Sequence, residues 1–412
     1  MACRVSAKSE PPATLFRQPL AAADRARLDQ LEARLEADRP TFVGYPCNQL
    51  PDFSELGRFL RFMANNVGDP FASRGHIRQQ THDFEREVIR EFARLTRAPE
   101  GDYWGYVTNG GTEGNMYGLY LARELFPDGM VYFSEDTHYS VAKILRVLHA
   151  RNIMIKSQPN GELDYQDLKE TLRLHRDVPP IIFANIGTTM KGAVDDLARI
   201  RETIEDLAIA RYYIHADAAL SGLILPFVAD PQPFDFADGA HSLSISGHKM
   251  IGSPIPCGVA LALKHNVDRI ARSVEYVGVL DTTLSGSRSA FSPLILWYAF
   301  RRAGADGFPR TVAACLARAD YAIAQFAARG IEAWRNRNSI TVVFPRPGEA
   351  VFRKWQVAPY RQIGHLITMP HVTEAIIDEF VADVAAHPPL RSHRPGTPRA
   401  ATPDSDPARL AV

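Results

Sequence analysis

Residues 212–250 read YYIHADAALSGLILPFVADPQPFDFADGAHSLSISGHKM. Two apolar stretches, YYIHADAAL and SLSIS, are short and rich in strand formers. Each leads into a group that apolar strands carry only at a cost: Asp217 near the end of the first, Lys249 just after the second. An unpaired buried charge is expensive, so each needs a partner. Asp217 is open to two readings, a structural ion pair or the counter-ion of a protonated ring nitrogen. Ala218, Ala219 and Gly222 leave room beside it for something flat.

The same pattern extends upstream. MVYFSE and PIIFANIG read as strands. DTHYSVAKILRVLHA carries Val141, Ile144, Leu145 and Leu148 at helical spacing, and Leu197, Ile200, Ile204 and Leu207 mark another amphipathic helix. Short apolar strands alternating with such helices indicate an α/β fold with a mainly parallel sheet covered on both faces. Such sheets place ligands at the carboxyl ends of their strands. The polar stretches TNGGTEGN, SEDTHYS, GTTMKG, HADAALSG and SGHKMIG all fall at or after strand ends. Residues from about 300 to 390 read as a smaller α+β unit, with helices at ARADYAIAQFAARG and VTEAIIDEFVADV around the strand SITVVF. An N-terminal helix is expected from about Asp24, with Leu28, Leu31 and Leu35 on one face. Residues 1–15 and 389–412 have little to bury and are expected to be disordered.

Composition narrows the function classes. The 412 residues are 46% hydrophobic, enough for a large core. Lys+Arg and Asp+Glu each total 47, so net charge favours neither nucleic acid nor an anionic membrane. No apolar run reaches the ~20 residues of a spanning helix, and residues 1–20 lack the apolar centre of a signal peptide. The four cysteines are not closely paired, which suits a reduced cytoplasm. His215 and Asp217 lack a credible third ligand, so no metal is expected.

Three features combine around one cofactor. The glycine turn Gly110-Gly111-Thr112, between a strand and a helix, reads either as an anion site or as a plain helix cap. With a strand-end Asp217, and Lys249 placed 32 residues later, it matches the needs of pyridoxal phosphate. The phosphate takes the helix N-terminus, the ring nitrogen a carboxylate, and the aldehyde a lysine amine. Desolvation lowers a lysine's pKa and frees its amine for that bond. His138, at a helix start after a strand, reads either as a structural histidine or as one lying over a planar ligand.

The chain resembles the group II pyridoxal-phosphate amino-acid decarboxylases, and within them the bacterial histidine decarboxylase and plant serine decarboxylase branch. GYVTNGGTEGNMYGLYLARELFPDG, IIFANIGTTMKGAVDD, HADAALSGLILPFV and SGHKMIGSPIPCG carry the resemblance. WRNRNSITVVFPRP and HLITMPH extend it, so that it spans roughly residues 40–385. The resemblance implies a fold-type I homodimer with active sites at the subunit interface. Residues 16–60 would contribute to dimer and pocket, 61–295 form the large cofactor domain and 296–388 the small one. Lys249 would be the Schiff-base lysine, Asp217 the partner of the ring nitrogen and His138 the stacking residue. Gly111, Thr112, Ser246 and His248 would surround the phosphate, with Thr188 and Ala219 near the ring. The segment 276–291, with Ser287, would reach the neighbouring subunit's cofactor. Tyr276 or His138 would return a proton to Cα, although Tyr276 reads equally as an apolar loop anchor.

Two departures fall where a substrate side chain would lie. GYPCNQ has Cys47 where histidine decarboxylases commonly carry Tyr, and the mobile segment ends SGSRSAF, with Phe291 in place of His. Tyr45, Cys47, Asn48 and Phe291 are therefore the expected pocket. L-histidine, giving histamine, is the expected substrate. L-serine, suggested by GDPF, and an aromatic or apolar amino acid are the alternatives, as is oxidative decarboxylation–deamination to an aldehyde.

Overall fold

The computed structural model describes residues 18–72, 77–274 and 279–388. The expected disordered ends and Tyr276 lie outside the described residues. The described chain opens with helix α1 (Ala22–Asp38) and then α2 (His82–Leu95). Alternation follows: β1 (Tyr103–Thr108), α3 (Gly111–Leu125), β2 (Met130–Ser134), α4 (Ser140–Val147), β3 (Asn152–Ile155), α5 (Tyr165–Leu174), β4 (Pro180–Asn185), α6 (Leu197–Asp206) and β5 (Tyr213–Asp217). It lapses between β5 and β6 (Ser242–Ser246), where Pro226, Pro231, Pro233 and Gly239 leave only short 3-10 turns. β7 (Gly258–Leu263) completes the large sheet.

The sheet order is β1-β7-β6-β5-β4-β2-β3. β3, β2, β4, β5 and β6 run parallel, while β7 is antiparallel to both β6 and β1. Reversing twice across β7 points β1 the same way as the parallel strands, so the end of β1 opens on the same edge as those of β4, β5 and β6. Every residue of β4, β5 and β6 is buried, as strands covered on both faces require. Val141, Ile144, Leu145 and Leu148 are buried, and so are Leu197, Ile200, Ile204 and Leu207, which confirms both helical stripes.

Helix α3 lies unusually close to the sheet because two of its residues lack side chains. A Cβ on Gly114 would come within 2.3 Å of Ser244 Oγ, and one on Gly118 within 2.1 Å of His215 Nδ1. After α7 (Lys264–Asp268) and the hairpin β8 (Arg272–Val274) and β9 (Val279–Asp281), helices α8 (Phe291–Ala303) and α9 (Gly307–Ala327) lead into a second sheet. Its strands, β10 (Thr341–Pro345) and β11 (Ile363–Ile367), are antiparallel, flanked by α10 (Glu349–Lys354) and α11 (Glu374–Ala386). α9 packs on α11 and β10, and Phe326, Phe344 and Phe380 fill the space between them.

Helix α1 forms where expected, but Leu28, Leu31 and Leu35 are exposed and no residue of α1 is buried. Among the described residues, no helix is long and apolar enough to cross a membrane.

Candidate active site

The ends of β1, β4, β5 and β6 converge on one cleft of about 130 Å³. At its floor, Gly110 adopts φ +134°, which side-chain-bearing residues rarely reach. A Cβ on Gly111 would come within 2.8 Å of Ser246 Oγ, so a larger residue there would force that hydroxyl to shift. Glu113 clamps the turn from behind: its carboxylate accepts the Asn109 backbone N–H at 2.8 Å and the Tyr106 hydroxyl at 3.0 Å. Gly111 and Thr112, at the start of α3, line the cleft, and a helix N-terminus is a position that suits an anion.

Asp217 ends β5 and is 9% exposed. One carboxylate oxygen accepts the Ala219 N–H at 3.2 Å, and the other accepts Asn115 Nδ2 at 2.8 Å. Lys249 lies in the turn after β6. Burial is the main influence on its ammonium and holds it below the ordinary lysine range, with Asp217 and Cys47 partly offsetting this. That is the condition for a nucleophilic amine.

His138 and His248 are both held neutral chiefly by burial. His138 Nδ1 lies 2.8 Å from Ser140 Oγ and 3.3 Å from the Ser140 backbone nitrogen, and these contacts fix the ring's orientation. His248 uses Nδ1–H to reach the Cys257 carbonyl at 2.9 Å. Thr188 spends its hydroxyl on the Ala193 N–H at 3.0 Å, and so shapes the loop after β4.

The expected cofactor residues Gly111, Thr112, His138, Thr188, Asp217, Ala219, Ser246, His248 and Lys249 all line the cleft. Asn48 adjoins it, since its N–H reaches the Lys249 carbonyl at 3.0 Å. Cys47 lies close enough for the Lys249 charge to oppose the upward push of burial on its thiol. Tyr45 is 43% exposed and rests on Phe42. Ser287 and Phe291 do not line this chain's own cleft: Ser287 bonds Asn65, and Phe291 packs against Leu56, Leu294 and Ile295. Asn115, Ser140, Asn185 and Thr189 line the cleft unforeseen. Asn115 stands one helical turn after Thr112 and Asn185 ends a strand, so both were discoverable from spacing.

A chain segment carries Tyr45, Cys47 and Asn48 past the cleft, and it is tied down at its start. His365 Nε2 bonds the Gly44 carbonyl at 2.8 Å, and Gly44 N–H reaches the Gln356 carbonyl at 2.8 Å.

A glycine cradle at a helix N-terminus, a strand-end carboxylate and a desolvated lysine are what pyridoxal phosphate requires, and the donor set fits it. Together with the sheet, they define a pyridoxal-phosphate enzyme of fold-type I. The pyridoxal-dependent decarboxylase conserved domain matches residues 81–344. Histidine decarboxylase of Pseudomonas entomophila is 49% identical over 88% of this chain and 92% of its own length. That of Morganella morganii is also 49% identical, over 88% of this chain and 97% of its own. L-methionine decarboxylase from Streptomyces sp. 590 superposes with a TM-score of 0.81 at 26% identity, covering 92% of this chain and 98% of that one. The chain belongs to the pyridoxal-dependent decarboxylase family, and its chemistry is the cofactor-dependent removal of a carboxyl group.

Proposed function

We propose that the protein converts L-histidine to histamine and CO2. The observation that carries the substrate is the 49% identity, over nearly nine-tenths of the chain, to histidine decarboxylases of two organisms. The cleft supports the assignment of roles. Lys249 holds the cofactor aldehyde, Asp217 pairs with the ring nitrogen, and His138 lies over the ring. The first turn of α3, with Ser246 and His248, takes the phosphate. Bound pyridoxal phosphate supplies a conjugated ring that accepts the electron pair left by departing CO2. Asp217 keeps a negative charge beside the ring nitrogen, and its two hydrogen bonds fix where that charge points. His138, which lines the cleft, can return a proton to the substrate carbon, a role it shares as candidate with Tyr276. Cys47 and Asn48 lie where the substrate side chain would be read.

We also infer a homodimer. Among the described residues nothing covers the leucine stripe of α1, and Ser287 does not line this chain's own cleft, as a residue serving a partner's site would not. The described cysteines Cys47, Cys257 and Cys315 are free thiols, in keeping with the cytoplasm.

The test is kcat/KM for L-histidine against L-serine, L-tyrosine, L-phenylalanine and L-leucine, with the product analysed. L-histidine should be best and should give amine with CO2. A better competitor overturns the substrate; aldehyde, ammonia and peroxide overturn simple decarboxylation.

A further inference from the structure

Behind Asp217 a row of buried polar side chains leads away from the cleft. Asn115 Nδ2 lies 2.8 Å from Asp217 Oδ2, His215 Nε2 lies 3.0 Å from Asn115 Oδ1, and Ser242 Oγ lies 2.7 Å from His215 Nδ1. Asn115, His215 and Ser242 are 2%, 0% and 1% exposed, so water cannot substitute for any link.

Donor counting gives the row one direction. An ionised carboxylate only accepts, so Asn115 must turn its NH2 toward Asp217. Its carbonyl then faces His215, whose Nε2 must carry the hydrogen. Nδ1 is left as an acceptor, and Ser242 must donate to it. A protonated Asp217 would remove the constraint that sets this order. With its NH2 on Asp217 Oδ2, Asn115 donates to the carboxylate, and a hydrogen bond donated to the charged form favours that form.

The fold makes room for it at a specific place. Gly118, one turn after Asn115 on α3, is where the His215 ring packs, and a methyl group there would overlap Nδ1 at 2.1 Å. Burial pushes the His215 imidazole down to about 3, so it stays neutral and does not compete for the Asp217 charge.

We propose that Asn115 and His215 are positioning residues whose directional hydrogen bonds, anchored by Ser242, hold Asp217 ionised and aimed at the cofactor's ring nitrogen. This rests on the reading of Asp217 as counter-ion. A merely structural role would affect any ligand of the same shape, whereas a positioning role is felt only through the ring nitrogen.

The experiment measures equilibrium dissociation constants of the apoprotein for pyridoxal phosphate and for its 1-deaza analogue, in which C–H replaces the ring nitrogen. The wild type should prefer the nitrogen-bearing cofactor. Asn115→Leu and His215→Phe should each reduce that preference about tenfold, the worth of a hydrogen bond to a charged group, and leave deaza-analogue affinity nearly unchanged. Ser242→Ala, which deletes one hydroxyl, should reduce it less, and it keeps the test open if a larger change prevents folding. Asp217→Ala should abolish the preference, and a full preference in that variant sinks the counter-ion reading itself. If Asp217→Ala loses the preference while the Asn115, His215 and Ser242 variants keep it, or lose affinity for both ligands alike, the positioning inference is overturned and the counter-ion reading stands.

Discussion

Glu85 and Arg288 form an ion pair in which the two side chains are 0% and 1% exposed. Glu85 also accepts the Val107 N–H at 2.8 Å and Asn66 Nδ2 at 2.7 Å, and Arg288 donates to the Gly68 carbonyl at 2.9 Å. The pair joins α2, the strand that leads into the glycine turn, and the segment that carries Ser287. Removing one partner of such a pair strands a charge, at a cost of about 3–5 kcal/mol. Arg288→Met should lose stability on that scale in urea unfolding, and Glu85→Gln/Arg288→Met should recover most of it. Equal losses in the single and double variants would show that the pairing itself matters little.

Gly44→Ala tests the segment over the cleft. A Cβ there would meet the Val357 Cα at 2.5 Å, so the backbone must shift. That displaces Cys47 and Asn48 and leaves the phosphate turn alone. KM for the substrate should rise about tenfold, with cofactor content near normal, as small misplacements of positioning residues do. An unchanged KM would remove this segment from substrate recognition.

Lys249 is a cost to the apoprotein. Its folded pKa is depressed, chiefly by burial, below the ordinary 10.5, so the unfolded chain binds more protons and stability rises with pH toward that value. Lys249→Met should therefore raise the apoprotein Tm by a few degrees at pH 7, with the advantage shrinking as pH approaches 10. An advantage independent of pH would point to packing instead.

His241 accepts the Ile214 N–H at 3.1 Å and stacks on Tyr213, and burial pushes it down to about 4. Its neutral form is favoured in the folded state, so it contributes stability above pH 6.5 that is lost as pH falls toward 4. His241→Gln retains an acceptor but cannot titrate. Its unfolding free energy should fall less steeply over that window, by up to ~1.4 kcal/mol per pH unit. Parallel curves for the two proteins would rule out this titration.

The sequence announced β4, β5 and β6 because strands covered on both faces are apolar throughout and carry their chemistry at one end. It announced α4 and α6 because their apolar residues keep helical spacing and all find the core. β7 escaped notice because GVALAL is short, apolar and unaccompanied by any polar signal of its own. The leucines of α1 were read correctly as a stripe, but periodicity says only that a face is apolar and not what covers it. Asn115 went unremarked because its task is to hold another side chain. Ser287 and Phe291 were placed by family likeness, and a single chain leaves both outside its own cleft.

The edge position of β1 bears on how the protein is made. Among the described residues its only partner in the sheet is β7, with Tyr103 opposite Leu263, about 160 residues further along. At ~5–20 residues per second, a ribosome takes about 8–30 s to deliver that partner. During this interval YWGYVT, with two aromatic side chains destined for burial, has no strand to pair with. Nascent chains stalled short of residue 258 are therefore the ones that should engage chaperones most strongly, and release should follow the emergence of β7 rather than that of the catalytic lysine.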